Sequence, residues 1–173
     1  MKNTTIAAEP ASRHQPISAG EAATLRAEYG ENAPPAMHVC LFRNGWVDVL
    51  QLTAGDIDLA DIAHGLALTN RWNGATVQAV SVAWHSLVVS AVASEIDPAA
   101  ALHGLMHDAA EAYTGDWTRP YKLHLGPMLT DVAQRIEQAC LEAAGVTEPA
   151  VTSRAVKEAD EAVLLLEHAS RWA

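Results

Sequence analysis

Residues 101–113 read ALHGLMHDAAEAY. The pattern predicts a helix over about 98–113, in which His103, His107 and Glu111 recur every four residues and share one face. Asp108 follows His107 at about a quarter turn. A helix with titratable groups on one face needs other helices to pack around it, and the flanking sequence supplies them. Upstream, residues 77–95 are apolar almost all round and predict a buried helix. Asp58 is placed to cap another over about 59–70. Downstream, Leu129, Val132, Ile136 and Cys140 share a face of a helix over about 127–144. After Thr152, a last helix over about 153–171 carries Val156, Val163 and Leu164.

The front of the chain reads differently. MHVCLFR (37–43) and WVDVLQL (46–52) flank Asn44-Gly45, a hairpin signal. Ser18-Ala-Gly-Glu21 has capping-box spacing and predicts a short helix at about 19–29, broken by Gly30 to Pro35. Residues 1–17 are aperiodic and read as a mobile leader. The expected fold is all-α, a helical bundle with a small N-terminal β-hairpin. Residues 1–35 form the leader and short helix; residues 36–173 form a single domain with the hairpin at about 37–52.

Composition narrows the function. The chain has 173 residues, half of them apolar, so it can bury a core. Lys plus Arg is 11 and Asp plus Glu 21, a net charge of −10. A nucleic-acid polymer or an anionic membrane is therefore a poor partner. Cys40 and Cys140 are too few and too distant for a disulfide framework. The start has no apolar signal region and no stretch is long enough to span a bilayer, so the expected location is the cytoplasm.

Two polar groups sit where apolar ones are expected. His85 lies inside the helix predicted to be buried. Its imidazole needs a partner there: a carbonyl, a serine or a metal. Asp160 falls on the stripe of Val156, Val163 and Leu164, and a carboxylate in that place must be paired or must coordinate a cation. Lys157 and Arg154 are the salt-bridge alternatives. The pair His107-Asp108 completes a set of two imidazoles and two carboxylates from three helices. Helical bundles build metal sites from inward residues on facing helices in this way. An N2O2 set without thiolate suits Mn, Fe, Co or Zn. His103 reads as a solvated residue or as a partner behind His107. His64 reads as exposed, and His14, His38, His124 and His168 as surface residues.

The ordered series His85, His107-Asp108, Asp160 resembles the signature of the HD-domain metal-dependent phosphohydrolases. The likeness extends to Asp61-Ile-Ala-His-Gly-Leu, Arg71-Trp-Asn-Gly, Ser81-Val-Ala-Trp-His-Ser, Gly115-Asp-Trp-Thr-Arg-Pro-Tyr-Lys122 and Val156-Lys-Glu-Ala-Asp160. It covers about residues 56–171 and is closest to bacterial 5′-deoxyribonucleotidases and phage deoxynucleoside triphosphohydrolases, the dATP enzymes included. The resemblance implies that His85, His107, Asp108 and Asp160 hold one divalent metal (Co, Mn, Zn or Fe, with Mg open at a phosphate site). It implies that Glu111 and Asp116 flank the attacking water. Arg71 and Lys122 would contact phosphate, Trp72 the deoxyribose, and Pro120 would shape the base pocket. For Trp72 a core aromatic, and for Pro120 a turn residue, are the plain alternatives.

The chemistry suits these residue types. A bound metal lowers the pKa of its water, a nearby carboxylate orients that water, and Arg and Lys stabilise charge on phosphorus. No Lys or Arg occurs between Trp72 and Thr118, whereas Arg71, Arg119 and Lys122 bracket that acidic stretch. The expected activity is hydrolysis of a 2′-deoxynucleotide, with a dNTP giving deoxynucleoside plus triphosphate. The alternatives are a 5′-deoxyribonucleotidase acting on dNMPs and a non-catalytic nucleotide sensor. The generous apolar fraction and the resemblance both point to a homo-oligomer, a dimer or hexamer, in a bacterium or a phage-infected host.

Overall fold

Asn44-Gly45 does close a hairpin. Strand β1 (His38–Leu41) pairs antiparallel with β2 (Gly45–Asp48), with Leu41 opposite Gly45 and His38 opposite Asp48. Three residues, 42–44, make the turn, and Gly45 takes φ +65°, the left-handed conformation that such a hairpin exit requires. This computed structural model describes residue 20 and residues 38–124 and 127–170. The expected leader and the helix at 19–29 lie outside the described residues, Gly20 excepted, as do His14 and the side chains of His38 and Leu129.

Among the described residues seven α-helices follow. They are α1 (Leu59–Leu68), α2 (Val82–Ile96), α3 (Ala101–Met106), α4 (Glu111–Thr114), α5 (Arg119–His124), α6 (Pro127–Ala144) and α7 (Pro149–Ser170). The mostly helical fold with a small hairpin at its front is as the sequence pattern indicates. None of these helices is long and apolar enough to cross a membrane.

Caps explain most of the boundaries. The Asp58 carboxylate accepts from the Ala60 N–H and starts α1. Ser81 caps α2, so that helix begins at Val82 and not at 77. The chain ahead of it is tied by an Asn70–Ser81 bridge, and residues 71–74 form an unanticipated 3-10 turn. Helix α7 begins earlier than expected, at Pro149, a residue suited to the first turn because it lacks an N–H. Thr152 thus lies inside it instead of capping it. The short helix α5 was also unanticipated.

The helix expected over 98–113 is broken. Helix α3 stops at Met106, and residues 107–110 continue through i→i+3 bonds, among them Ala109 N–H to the Met106 carbonyl and Glu111 N–H to that of Asp108. The His107-Asp108 pair therefore sits on tightened turns between two short helices.

Two apolar clusters make the core. Ile62, Leu66, Val82, Met106, Tyr113 and Ile136 belong to the first. The second joins Val89 and Ala93 of α2 to Ala155, Val156, Ala159 and Val163 of α7. His85 lies on α2 between Val82 and Val89, at the seam between the clusters, and is fully buried. Helix α2 itself is not buried all round: Trp84 is 51% and Leu87 61% exposed. Its sequence carries two apolar faces, and among the described residues only one is covered.

Candidate metal centre and its cleft

Helices α2 and α7 and the turn after α3 bring His85, His107, Asp108 and Asp160 together. The His85 Nε2 lies 3.0 Å from Asp160 Oδ1 and 3.7 Å from Asp108 Oδ2. The His107 Nε2 lies 3.2 Å from Asp108 Oδ2 and 3.9 Å from Asp160 Oδ1. Donor atoms of His85, His107 and Asp160 all fall within 4.8 Å of one another, a group that could hold a metal ion.

The opposite edge of each ring is already committed. The His85 Nδ1 meets Glu167 Oε1 at 2.8 Å, and the His107 Nδ1 meets the Gly104 carbonyl at 2.8 Å. A carbonyl or an ionised carboxylate only accepts, so each Nδ1 donates, and in the neutral ring each Nε2 offers a lone pair. Both Nε2 atoms are buried, and neither makes an aligned hydrogen bond despite the short contacts to carboxylates. Two orphaned lone pairs facing two carboxylates is the arrangement a divalent cation satisfies, so these residues fit the metal expected of them.

Electrostatics agree with that fit. Burial by itself lowers an imidazole, yet the Asp108 charge, with Asp160, raises His107 to about 9. His85 is raised despite burial, by Asp160 and Glu167. Burial would raise Asp108 and Asp160, but the facing imidazoles hold both below the usual carboxylate range. Without a cation, this cluster holds protons in its place.

Asp160 was expected to be a buried carboxylate. It is instead 38% exposed, because it stands in the wall of a cleft of about 370 Å³. Its partners are the imidazoles and not the cations of its own helix: Arg154 bonds Glu158 at 2.9 Å. Asp108, Glu111, Asp116, Arg71, Trp72, Arg119 and Lys122 line the same cleft. Pro120 is exposed and is not among the lining residues; its carbonyl accepts from His124.

Glu111 is buried, with Oε1 3.0 Å from the Lys122 ammonium and Oε2 without a partner. Burial and the Asp108 charge outweigh Lys122 and raise its carboxyl to about 7. The lysine is nearly half exposed, and pairing with Glu111 raises it in spite of its partial burial. In this state Lys122, expected to meet phosphate, meets Glu111. Asp116 follows Gly115, whose φ of 76° ends α4 and turns the chain into the cleft. Burial raises the Asp116 carboxyl.

Arg71 and Trp72 arrive on the 3-10 turn. Trp72 (φ 58°) and Asn73 (φ 54°) are left-handed, a cost of order 1–3 kcal/mol each that Asn tolerates best. Arg71 N–H bonds the Val80 carbonyl at 2.8 Å, and the Trp72 Nε1 donates to Glu167 Oε2 at 3.1 Å. The Arg71 Nε donates to the same oxygen at 3.0 Å, and its Nη1 lies 3.4 Å from Asp108. Strain maintained in this way marks a side chain whose placement matters.

Glu167 was missed by the sequence reading. It lies seven residues beyond Asp160, two turns along the same face of α7, and that spacing is the signal that could have found it. His103, which the sequence favoured as a solvated residue, is buried, and its Nδ1 is 2.7 Å from the Thr152 hydroxyl. Burial lowers its pKa, with the His107 charge adding to this. His64 is exposed and stacks on Phe42, as its surface reading implied. His124 and His168 are exposed too.

No family model matches the sequence. The chain is similar to an uncharacterized protein of Rhodobacter capsulatus, 38% identical over 129 residues. That match takes in 70% of this chain and 66% of the relative, so the chain spans just under two thirds of the relative's length.

Proposed function

We propose that this chain is an HD-type metal-dependent phosphohydrolase acting on 2′-deoxynucleotides, releasing deoxynucleoside and triphosphate from a dNTP. The observation that carries this reading is the pair of buried Nε2 lone pairs facing Asp108 and Asp160 at the wall of a cleft that also holds Arg71 and Lys122. The metal is a divalent transition ion, Mn, Fe, Co or Zn, because the donor set is imidazole and carboxylate. When bound, it would act as a Lewis acid toward water and the phosphoryl oxygens.

The chain's own residues account for the remaining steps. Glu111, with its free Oε2 and a carboxyl near 7, orients the attacking water and takes its proton. Attack on the α-phosphorus forms one P–O bond and breaks the bond to the 5′ oxygen. That oxygen leaves with a proton, for which Asp116 is the acid, its carboxyl being raised by burial. Arg71 commits Nε to Glu167 and one Nη1 donor to Asp108; its remaining donors suit a phosphate. Trp72 flanks the sugar. A 2′-hydroxyl beside it would need room and a partner, hence the preference for deoxy.

Two cations beyond Arg71, namely Arg119 and Lys122, line the cleft and favour a triphosphate tail over a monophosphate. A dNMP 5′-nucleotidase remains the second reading, because the attacked bond is the same. Exposed Trp84 and Leu87 on α2 give a homo-oligomer a surface to cover. Products from dNMP, dNTP and rNTP panels, separated by ion exchange, test the assignment. Lys122→Ala should reduce dNTP turnover more than dNMP turnover. Equal turnover of ATP and dATP would contradict the deoxy preference.

A further inference from the structure

The Glu167 side chain is 2% exposed, and among the described residues it faces three donors from two separate segments. Oε1 takes the His85 Nδ1 at 2.8 Å; Oε2 takes the Arg71 Nε at 3.0 Å and the Trp72 Nε1 at 3.1 Å. The arrangement joins one imidazole whose other nitrogen faces Asp160 to the arginine and the tryptophan of the cleft wall. We propose that Glu167 is the positioning residue of this site: it fixes His85 as the Nδ1–H tautomer with a lone pair on Nε2, and holds Arg71 and Trp72 in register with that lone pair. The proposal rests on the metal-dependent reading above, and it deepens that reading by naming the group that sets ligand and substrate side chains together.

The argument is one of acceptors and donors. Arg71 Nε–H and Trp72 Nε1–H can only donate, so Oε2 must accept. A carboxylate has no proton to give, so Oε1 must accept as well, and His85 Nδ1 must carry the hydrogen. When the ring is neutral, Nε2 is then the nitrogen without hydrogen, as a metal ligand must be. A glutamine in the same place cannot reproduce this. Its carbonyl has to face Arg71 and Trp72, because an NH2 there would oppose two donors. Its NH2 then faces His85, forcing Nδ1 to accept and placing the hydrogen on Nε2. The substitution keeps shape and hydrogen-bond count while moving one proton to the wrong side of the ring.

The experiment uses the full chain, wild type and Glu167→Gln. Zinc and manganese affinities are read by competition with a chromophoric chelator. The His85 tautomer is read by 15N NMR on metal-free protein, in solution alkaline enough that the 15N shifts show both rings to be neutral. The expected result is an Nδ1–H tautomer in the wild type and an Nε2–H tautomer in Glu167→Gln. With it should come a loss of metal affinity of about 10–100-fold, typical of such partners. Apo melting temperature should change far less, since the glutamine leaves none of these three donors unpaired. Unchanged metal affinity in a folded Glu167→Gln, or the same tautomer in both proteins, overturns the proposal. If Glu167→Gln does not fold, the wild type decides alone, and an Nε2–H tautomer there overturns it. A wild type that binds neither metal refutes the metal-dependent reading instead, while the tautomer comparison still judges Glu167.

Discussion

Glu111 is the residue at which burial, charge and chemistry meet. Its carboxyl stands at about 7 in the metal-free protein, above the ordinary 4.5, because burial and Asp108 outweigh Lys122. A raised carboxyl takes up its proton in the folded state first. Folding stability from this group is therefore present below about 4.5 and is lost as pH rises through about 7. Glu111→Gln should remove that loss. The metal-free variant should be more stable than wild type at pH 8 by about 1–3 kcal/mol and little different at pH 4, as read by urea denaturation. Activity should fall about 10²–10⁴-fold, because the amide cannot take a proton. A variant that loses neither activity nor the pH slope would show that Glu111 is a bystander.

At the scale of elements, two contacts hold the site's supports in place. The Asp61 side chain at the start of α1 is buried and accepts from the Arg43 and Asn44 N–H groups at 2.6 and 3.0 Å, so it fastens the hairpin turn to the bundle. Asp61→Asn can accept on one oxygen only and opposes a donor with a donor. It should cost about 1–3 kcal/mol and speed hydrogen exchange at those two amides. Gly104 lets α3 lie against α2: a Cβ there would stand 3.1 Å from the Ser90 Cα and 3.2 Å from the Ala93 Cβ. Gly104→Ala should cost about 1–3 kcal/mol by overpacking. It should also weaken metal binding, because the Gly104 carbonyl orients His107. A Gly104→Ala protein with wild-type stability and affinity would contradict that packing argument.

Elements with a cap or a turn residue were legible in the sequence. Asp58 and the Asn44-Gly45 turn announce α1 and the hairpin, and the stripe of α6 gave its bounds as 127–144. The break after Met106 was not legible, since an Ala-rich run carries no stop signal. The convergence of His85, His107, Asp108 and Asp160 was readable as polar groups on apolar stripes. Glu167 was not singled out, because a glutamate near a helix end looks like a solvated residue until the opposing donors are known. The same holds in reverse for His103, whose partner Thr152 lies 49 residues away.

On the scale of the whole molecule, a net charge of −10 surrounds the cleft in which we propose that an anion binds. Asp108, Glu111, Asp116 and Asp160 all line it, against Arg71, Arg119 and Lys122. Local acids exceed local cations, so a phosphate needs a further positive charge. Nucleotide affinity should therefore fall at least tenfold in chelator, roughly the 1.4 kcal/mol of one weak charge contact, by titration calorimetry. Unchanged affinity would mean that the protein side chains suffice and the cation has another role.

The central claim is tested most directly by product analysis. Protein reloaded with Mn, Co or Zn is incubated with each dNTP, and the products are separated by ion exchange. The account predicts deoxynucleoside and intact inorganic triphosphate, abolished by chelator and by Asp108→Ala. Release of pyrophosphate with dNMP, or no product from any deoxynucleotide with any of these metals, would contradict it.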